Sequence, residues 1–193
     1  MTTIKETLRG AALSRRDCLA EAERAEKSER VRSRVAAILA GTPPLSLAGY
    51  QAIRSEVDIT PLLETLRSSG VRISLPAISG GSIVFREWRA GQPLVRSAFG
   101  LHEPAPDAPG ATPETLLVPM LAFDRKGYRL GYGKGHYDRA IAALRAAGFA
   151  PRLIGVAFAV QEVPDIPAES FDVRLDVIVT EDEVLRFGEE RAS

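Results

Sequence analysis

The chain has 193 residues, 45% of them hydrophobic and 26% charged, which allows one substantial core and lies in the ordinary range for a soluble globular protein. Lys+Arg and Asp+Glu balance at 25 each, which argues against a broad basic surface for nucleic acid and confines any anion site to local charge. The single cysteine, Cys18, excludes an intramolecular disulfide, and two isolated histidines, His102 and His136, are too few for a His-based zinc site.

The opening "MTTIKETLRG" has no apolar core of the kind a secretory signal needs. The longest apolar run, "LIGVAFAV" from Leu153, is far too short to cross a bilayer. A cytoplasmic protein without membrane or nucleic-acid partners is expected. Residues 3–40 are expected to be helical, with Ile4, Leu8, Ala11 and Ala12 on one face and Val31, Val35, Ile38 and Leu39 repeating that spacing. The charged stretch between them suits a solvated face. Ser14 and Asp17 are candidates to cap a restart between two helices. Cys18 fits a half-buried small residue better than a nucleophile.

"LSLAGY" (45–50) suits a strand. "TPLLETLRSSG" suits a short helix capped by Thr60, with Pro61 in its first turn and Gly70 at its end. Strands are expected at 71–76 and 82–88, the second half-exposed. The Pro- and Gly-rich 100–114 is expected to be loop, 115–120 a buried strand, 121–136 a loop, and the segment from about 137 to Gly148 a helix. Strands at 152–158 and 175–180 complete the chain, with "GEERAS" fraying at its end. Alternating strands and helices, with several continuously apolar strands, imply a three-layer α/β domain over residues 1–193. It has a mainly parallel sheet covered by helices on both faces.

The loop "GYGKGHYDR" (131–139) follows a buried strand and leads into a helix, where open α/β sheets bind ligands. Its glycines let backbone N–H groups approach an anion, and the helix start adds partial positive charge. The spacing fits neither a P-loop nor a dinucleotide fingerprint, so phosphate binding and a tight structural turn are equally compatible with it. Asp138 is favoured at a helix start in either case. Beside a phosphate it would call for a metal, and Mg²⁺ is the natural bridge between carboxylates and phosphate oxygens. Asp172 is a second candidate carboxylate, although sequence alone does not bring it to Asp138.

The longer stretch "LVPMLAFDRKGYRLGYGKGHYDR" resembles the signature of the 5-formyltetrahydrofolate cyclo-ligase family, P-G-x-x-F-D-x-x-G-x-R-L-G-x-G-x-G-Y-Y-D. The match covers Pro119, Phe123, Asp124, Gly127, Arg129, Leu130, Gly131, Gly133, Gly135, Tyr137 and Asp138. "KETLR", "SEVDITPLL", "GLHEP" and the block from "AFAVQEV" to "VIVTE" resemble further family segments in the same order. Met120 stands where the signature has glycine, His136 where it has the first tyrosine, and Ile59 where threonine is common. None of these departures removes a charged group. A non-catalytic binding domain on a related fold is the rival reading, and retention of Arg129, Lys134 and Asp138 argues against it.

The resemblance implies a sugar-isomerase/CoA-transferase-like fold and a carbon–nitrogen cyclo-ligase. Such an enzyme converts 5-formyltetrahydrofolate to 5,10-methenyltetrahydrofolate at the expense of ATP, with Mg²⁺ as cofactor. A monomer is expected. By resemblance, Lys5 and Arg9 reach ATP from the first helix, one turn apart on one face. Arg129, Leu130, Gly131, Tyr132, Gly133, Lys134, Gly135, His136 and Tyr137 enclose the nucleotide, with Arg129 and Lys134 as catalytic cations. Asp138 and Asp172 are the implied Mg²⁺ ligands. Glu56 is the implied catalytic group at the formyl–N10 region of the folate. Gln51, Tyr132, His136 and Tyr137 line the folate pocket, with Gly133, Lys134 and Gly135 bordering it. Phe99 is a further aromatic surface for the pterin.

Overall fold

The structure, a computed structural model, describes residues 3–97 and 100–187. Phe99 and the expected fraying of "GEERAS" lie outside the described residues. Two helices open the chain, α1 (Ile4–Asp17) and α2 (Glu21–Gly41). Thr3 caps α1 by a reciprocal box: its hydroxyl accepts from the Glu6 N–H and its own N–H donates to Glu6. The expected cap at the restart is absent. Ser14 is inside α1, Asp17 ends it, and Ala20 precedes α2 with no side-chain cap. A missing cap costs about 1 kcal/mol. Burial of Val31, Val35 and Leu39 outweighs that cost at roughly 1.5–3 kcal/mol each.

Strand β1 (Ser46–Ala48) leads to a long turn and to α3 (Thr60–Ser68). Thr60 is the first residue of α3 and does not cap it; the Asp58 carboxylate accepts from the Thr60 N–H instead, at 2.9 Å. β2 (Arg72–Ser79) and β3 (Ser82–Glu87) form a hairpin, half-exposed along β3 as expected. The expected loop at 100–114 contains a short strand, β5 (His102–Glu103), which pairs with β4 (Val95–Arg96) in a small ribbon. After β6 (Thr115–Pro119) the expected loop contains a second short hairpin, β7 (Ala122–Phe123) with β8 (Arg129–Leu130). Then come α4 (His136–Ala146), β9 (Arg152–Val156), one 3-10 turn at Ala159–Gln161, β10 (Val177–Val179) and β11 (Val184–Arg186). Two-residue strands carry too little periodicity to be seen in sequence.

The seven-stranded sheet has the order β11-β10-β9-β6-β1-β2-β3. Its five central strands are parallel, and β3 and β11 are antiparallel edges. Alternate side chains divide between two layers. Leu47, Leu117, Ile154, Val177 and Val179 pack with α2 and α3. Ala48, Leu116, Val118, Leu153 and Ile178 pack with Ala140 and Ile141 of α4. The three-layer α/β expectation is borne out. Helix α1 stands apart, its Ala12 packing on Ala122 and Leu130 of the β7–β8 hairpin and on Val163 and Ile166. The inward stripe of α1 differs from the expected one: Ile4 and Ala11 are exposed, whereas Ala12 and Arg16 are buried. Cys18 is exposed rather than half-buried. Among the described residues, no helix is long and apolar enough to cross a membrane.

Candidate active site

Lys5, Arg9, Ala12 and Arg16 fall at i, i+4, i+7 and i+11, so α1 presents them along one stripe. Ala12 seats the stripe on the hairpin, and the three cations point to three different segments. Lys5 Nζ lies 2.8 Å from Asp172 Oδ2 and 2.7 Å from Glu169 Oε2. Burial lowers the Lys5 pKa, but these two carboxylates outweigh it and raise it. Burial likewise pushes the Asp172 carboxyl up, and the Lys5 ammonium with the Glu169 N–H brings it below its usual range. Arg9 Nε donates to the Gly131 carbonyl at 2.9 Å. Its guanidinium lies over Gly133, where a Cβ would sit 3.5 Å from Arg9 Cζ. Gly133 and Gly135 have φ of 93° and 59°, the left-handed region that glycine alone enters without cost, and Gly135 opens α4.

The hairpin that carries this loop is held by one buried carboxylate. Asp124 Oδ1 accepts from the Lys126 and Tyr128 N–H groups at 2.9 and 3.0 Å, and Oδ2 accepts from the Ile166 N–H at 3.1 Å. The β8 residue Arg129 is buried and donates to Asp138 Oδ1 at 2.9 Å and to the Val173 carbonyl at 2.7 Å. The Val173 N–H also donates to Asp138 Oδ1, at 3.1 Å. Asp138 thus ties the start of α4 to the segment next to Asp172, bringing together two carboxylates that are far apart in sequence.

Across the glycine loop, Glu56 is buried on the turn after β1. The Ile53 N–H donates to its Oε2 at 3.0 Å and the Tyr132 hydroxyl to its Oε1 at 3.2 Å. Burial raises the Glu56 pKa, against the opposing pull of the Ile53 N–H, Arg16, Tyr132 and Arg54. Burial and Glu56 together raise that of Tyr132. Arg16 is fully buried and donates to the Ser55 hydroxyl at 3.0 Å, the Met120 carbonyl at 3.3 Å and the Tyr132 hydroxyl at 3.2 Å. Ser55 in turn donates to Asp17. Arg54 holds a positive φ of 54° and places its guanidinium 5.7 Å from the centre of the Tyr132 ring. Backbone strain of this kind on a non-glycine residue concentrates at functional sites.

The sequence-predicted residues therefore meet in two adjoining clusters: Lys5, Arg9, Arg129, Asp138 and Asp172 around the glycine loop, and Glu56 with Tyr132. Leu130 is buried in the hairpin, with its backbone supporting the loop. Lys134 is exposed, and its carbonyl accepts from Arg139 at 2.7 Å. His136 opens α4 with Nδ1 3.2 Å from Arg139 Nη2, and burial with the Arg139 and Lys134 charges lowers its pKa. The Tyr137 hydroxyl is buried without a hydrogen-bond partner, and burial followed by Glu56 raises its pKa. Gln51 is half-buried on the turn before Glu56. Arg16, Ser55 and Asp124 belong to the site's framework and carried no assigned role in the sequence reading. Continuing the Lys5–Arg9 stripe by two more turns, through Ala12, would have found Arg16.

Among the described residues, no group of three or more His, Cys, Asp or Glu could hold a metal ion. A two-carboxylate donor set nevertheless fits Mg²⁺, which takes one or two carboxylates and completes its shell with phosphate and water. The hydrogen bonds above use one oxygen each of Asp138 and Asp172. Two cavities of about 310 Å³ flank Arg72 at the amino-terminal ends of β1 and β2, away from both clusters.

A sequence profile of the 5-formyltetrahydrofolate cyclo-ligase family matches residues 1–181. The chain belongs to that family. The enzyme class expected from the sequence is borne out accordingly. The chain is 31% identical to the 5-formyltetrahydrofolate cyclo-ligase of Escherichia coli K12 over 82% of its length and 92% of the relative's. It is 34% identical to that of Mycolicibacterium smegmatis, over 91% of its length and 93% of the relative's. The solved 5,10-methenyltetrahydrofolate synthetase of Aquifex aeolicus superimposes with a TM-score of 0.84 at 32% identity, covering 99% of this chain and 96% of that one. Against the cyclo-ligase signature, the Met120 departure has a packing explanation: a Cβ on Gly155 would lie 2.5 Å from Met120 Cε, so the larger residue occupies space that Gly155 leaves.

Proposed function

We propose that residues 1–193 form one catalytic domain that cyclises 5-formyltetrahydrofolate to 5,10-methenyltetrahydrofolate with Mg-ATP, releasing ADP and phosphate. The reading rests chiefly on one observation. Arg9 bonds the glycine loop, Arg129 and Lys5 hold the carboxylates of Asp138 and Asp172 beside it, and the loop's Tyr132 hydroxyl donates to a buried carboxylate, Glu56. Phosphoryl transfer needs positioning and distributed positive charge rather than covalent help from the protein.

In the proposed mechanism, the glycine-loop N–H groups, Arg9 and Lys134 bind the triphosphate, and Arg129 offsets charge on the group in transit. Leu130, Gly131, Gly133 and Gly135 shape that cradle, with Tyr132, His136 and Tyr137 at its border with the folate. The formyl oxygen attacks the γ-phosphorus and the bond to ADP breaks. N10 then attacks the formyl carbon, its proton passes to Glu56, and the carbon–oxygen bond breaks to expel phosphate. Burial raises the Glu56 pKa above the ordinary glutamate value, which makes it a stronger base than an exposed carboxylate. Gln51 and the Tyr137 hydroxyl are assigned to the folate, the latter because a buried unpaired hydroxyl gains most from a bound partner. Asp138 and Asp172 would hold Mg²⁺, which would supply positive charge to offset that of the phosphates. A monomeric, cytoplasmic enzyme is part of the same proposal. Purified protein given 5-formyltetrahydrofolate and Mg-ATP should develop the methenyl product's near-ultraviolet absorbance. No change, or a change without ATP, would overturn the reading.

A further inference from the structure

Among the described residues, Arg16 is the largest of the fully buried side chains, and its hydrogen bonds go to Ser55, Met120 and the Tyr132 hydroxyl. A buried guanidinium is costly to desolvate, and here its partners are two neutral hydroxyls and a carbonyl rather than a paired carboxylate. Those partners belong to the turn after β1, the end of β6 and the glycine loop. We infer that Arg16 is a positioning residue for Glu56: it holds the Tyr132 hydroxyl against the Glu56 carboxylate and ties both to the helix that carries Lys5 and Arg9. The inference rests on the role proposed for Glu56.

Three observations support it. The Tyr132 hydroxyl accepts from Arg16 and donates to Glu56, so its direction is fixed by the guanidinium on one side. Ser55, next to Glu56 in sequence, is held by Arg16 from the other side and anchored to Asp17 at the end of α1. Arg16 lies on the same helical stripe as Lys5 and Arg9, so α1 spans the phosphate and folate sides as one rigid element. The other groups acting on Glu56 are Arg54 from its own turn, Tyr50 after β1 and Tyr137 from α4. Of all these, only Arg16 holds Ser55, Met120 and Tyr132 at once.

The test replaces the guanidinium with a group that keeps the charge but cannot span three acceptors, Arg16→Lys. Tyr132→Phe separately removes the connecting hydroxyl from a ring that is already exposed, so its folding is not at stake. The Glu56 carboxyl is titrated by carbon NMR in wild type, both variants and the double variant, and kcat is measured as a function of pH. Each single variant is expected to move the Glu56 midpoint and the acid limb of kcat to higher pH. Each should also lower kcat by up to about 100-fold, as for a misplaced reacting group. The double variant should resemble either single one. A Glu56 midpoint unchanged in Arg16→Lys, or effects that add independently, would overturn the inference. A wild-type protein inert toward 5-formyltetrahydrofolate would overturn the proposed function instead, while the carbon titration would still decide the role of Arg16.

Discussion

Replacing Asp124 by alanine would strike the site from beneath without touching any proposed ligand. The Asp124 carboxylate is fully buried and takes three backbone N–H groups, those of Lys126, Tyr128 and Ile166. Hydrogen bonds to a charged acceptor are worth about 1.5–3 kcal/mol each, and orphaned N–H groups retain a desolvation cost. Neighbouring bonds do not add fully, and the hairpin can relax toward water, so the expected loss is about 3–5 kcal/mol. For a chain of this size each kcal/mol moves the melting temperature by roughly 2–4 °C, so a drop on the order of 10 °C is expected. Asp124→Asn keeps one acceptor oxygen and should lose less, about 2 kcal/mol. Because the hairpin carries the glycine loop, kcat should fall even where Asp124→Ala remains folded. Calorimetric or circular-dichroism melts with steady-state kinetics at a temperature below both transitions provide the assay. If Asp124→Ala melts with the wild type, Asp124 is not the hairpin's anchor.

Arg9→Ala removes a half-buried cation whose described hydrogen bond is to the Gly131 carbonyl, so the fold should persist while kcat/KM for ATP falls by about 100-fold. Unchanged ATP kinetics would remove Arg9 from the phosphate site. Gly155→Ala should cost about 1–3 kcal/mol in denaturant unfolding, because its Cβ would press on buried Met120 and Leu175. A compensating Met120→Gly in the same chain should recover part of that loss. Glu56 binds its proton more tightly when folded, so its contribution to stability is greatest below the ordinary glutamate range. That contribution falls as pH rises through the range to the raised value, and is constant above it. Glu56→Gln should remove that fall from the stability–pH curve and the acid limb from the activity profile.

Much of the site was legible because its residues sit in one unbroken signature. The glycines, Arg129 and Asp138 share a strand–loop–helix unit whose local spacing reports its own geometry. The parallel sheet was legible for a related reason: β6 and β9 are continuously apolar, as strands buried on both faces must be. What stayed hidden depends on contacts between distant segments. Asp172 precedes β10, yet Asp138 draws the neighbouring Val173 N–H to the start of α4. Arg16 looked like one more charge in "LSRRDCLAEAE" because hydropathy patterning assigns arginine to solvent. It is buried because Ser55, Met120 and Tyr132 supply acceptors from three other elements. The apolar residues of α1 misled for the same reason: Ile4 is exposed because the helix turns its cationic stripe inward. The expected caps at Ser14, Asp17 and Thr60 failed because Ala20 and Ile59 occupy the cap positions, with the Asp58 carboxylate reaching the Thr60 N–H from one residue further out.

The most direct measurement follows the formyl oxygen. Substrate carrying ¹⁸O in the formyl group is incubated with the protein and Mg-ATP, and the released phosphate is analysed by mass spectrometry. Attack of the formyl oxygen on the γ-phosphorus followed by carbon–oxygen cleavage predicts one ¹⁸O in each phosphate released, in step with the methenyl product. Unlabelled phosphate, or ATP consumed without methenyl product, would contradict the account.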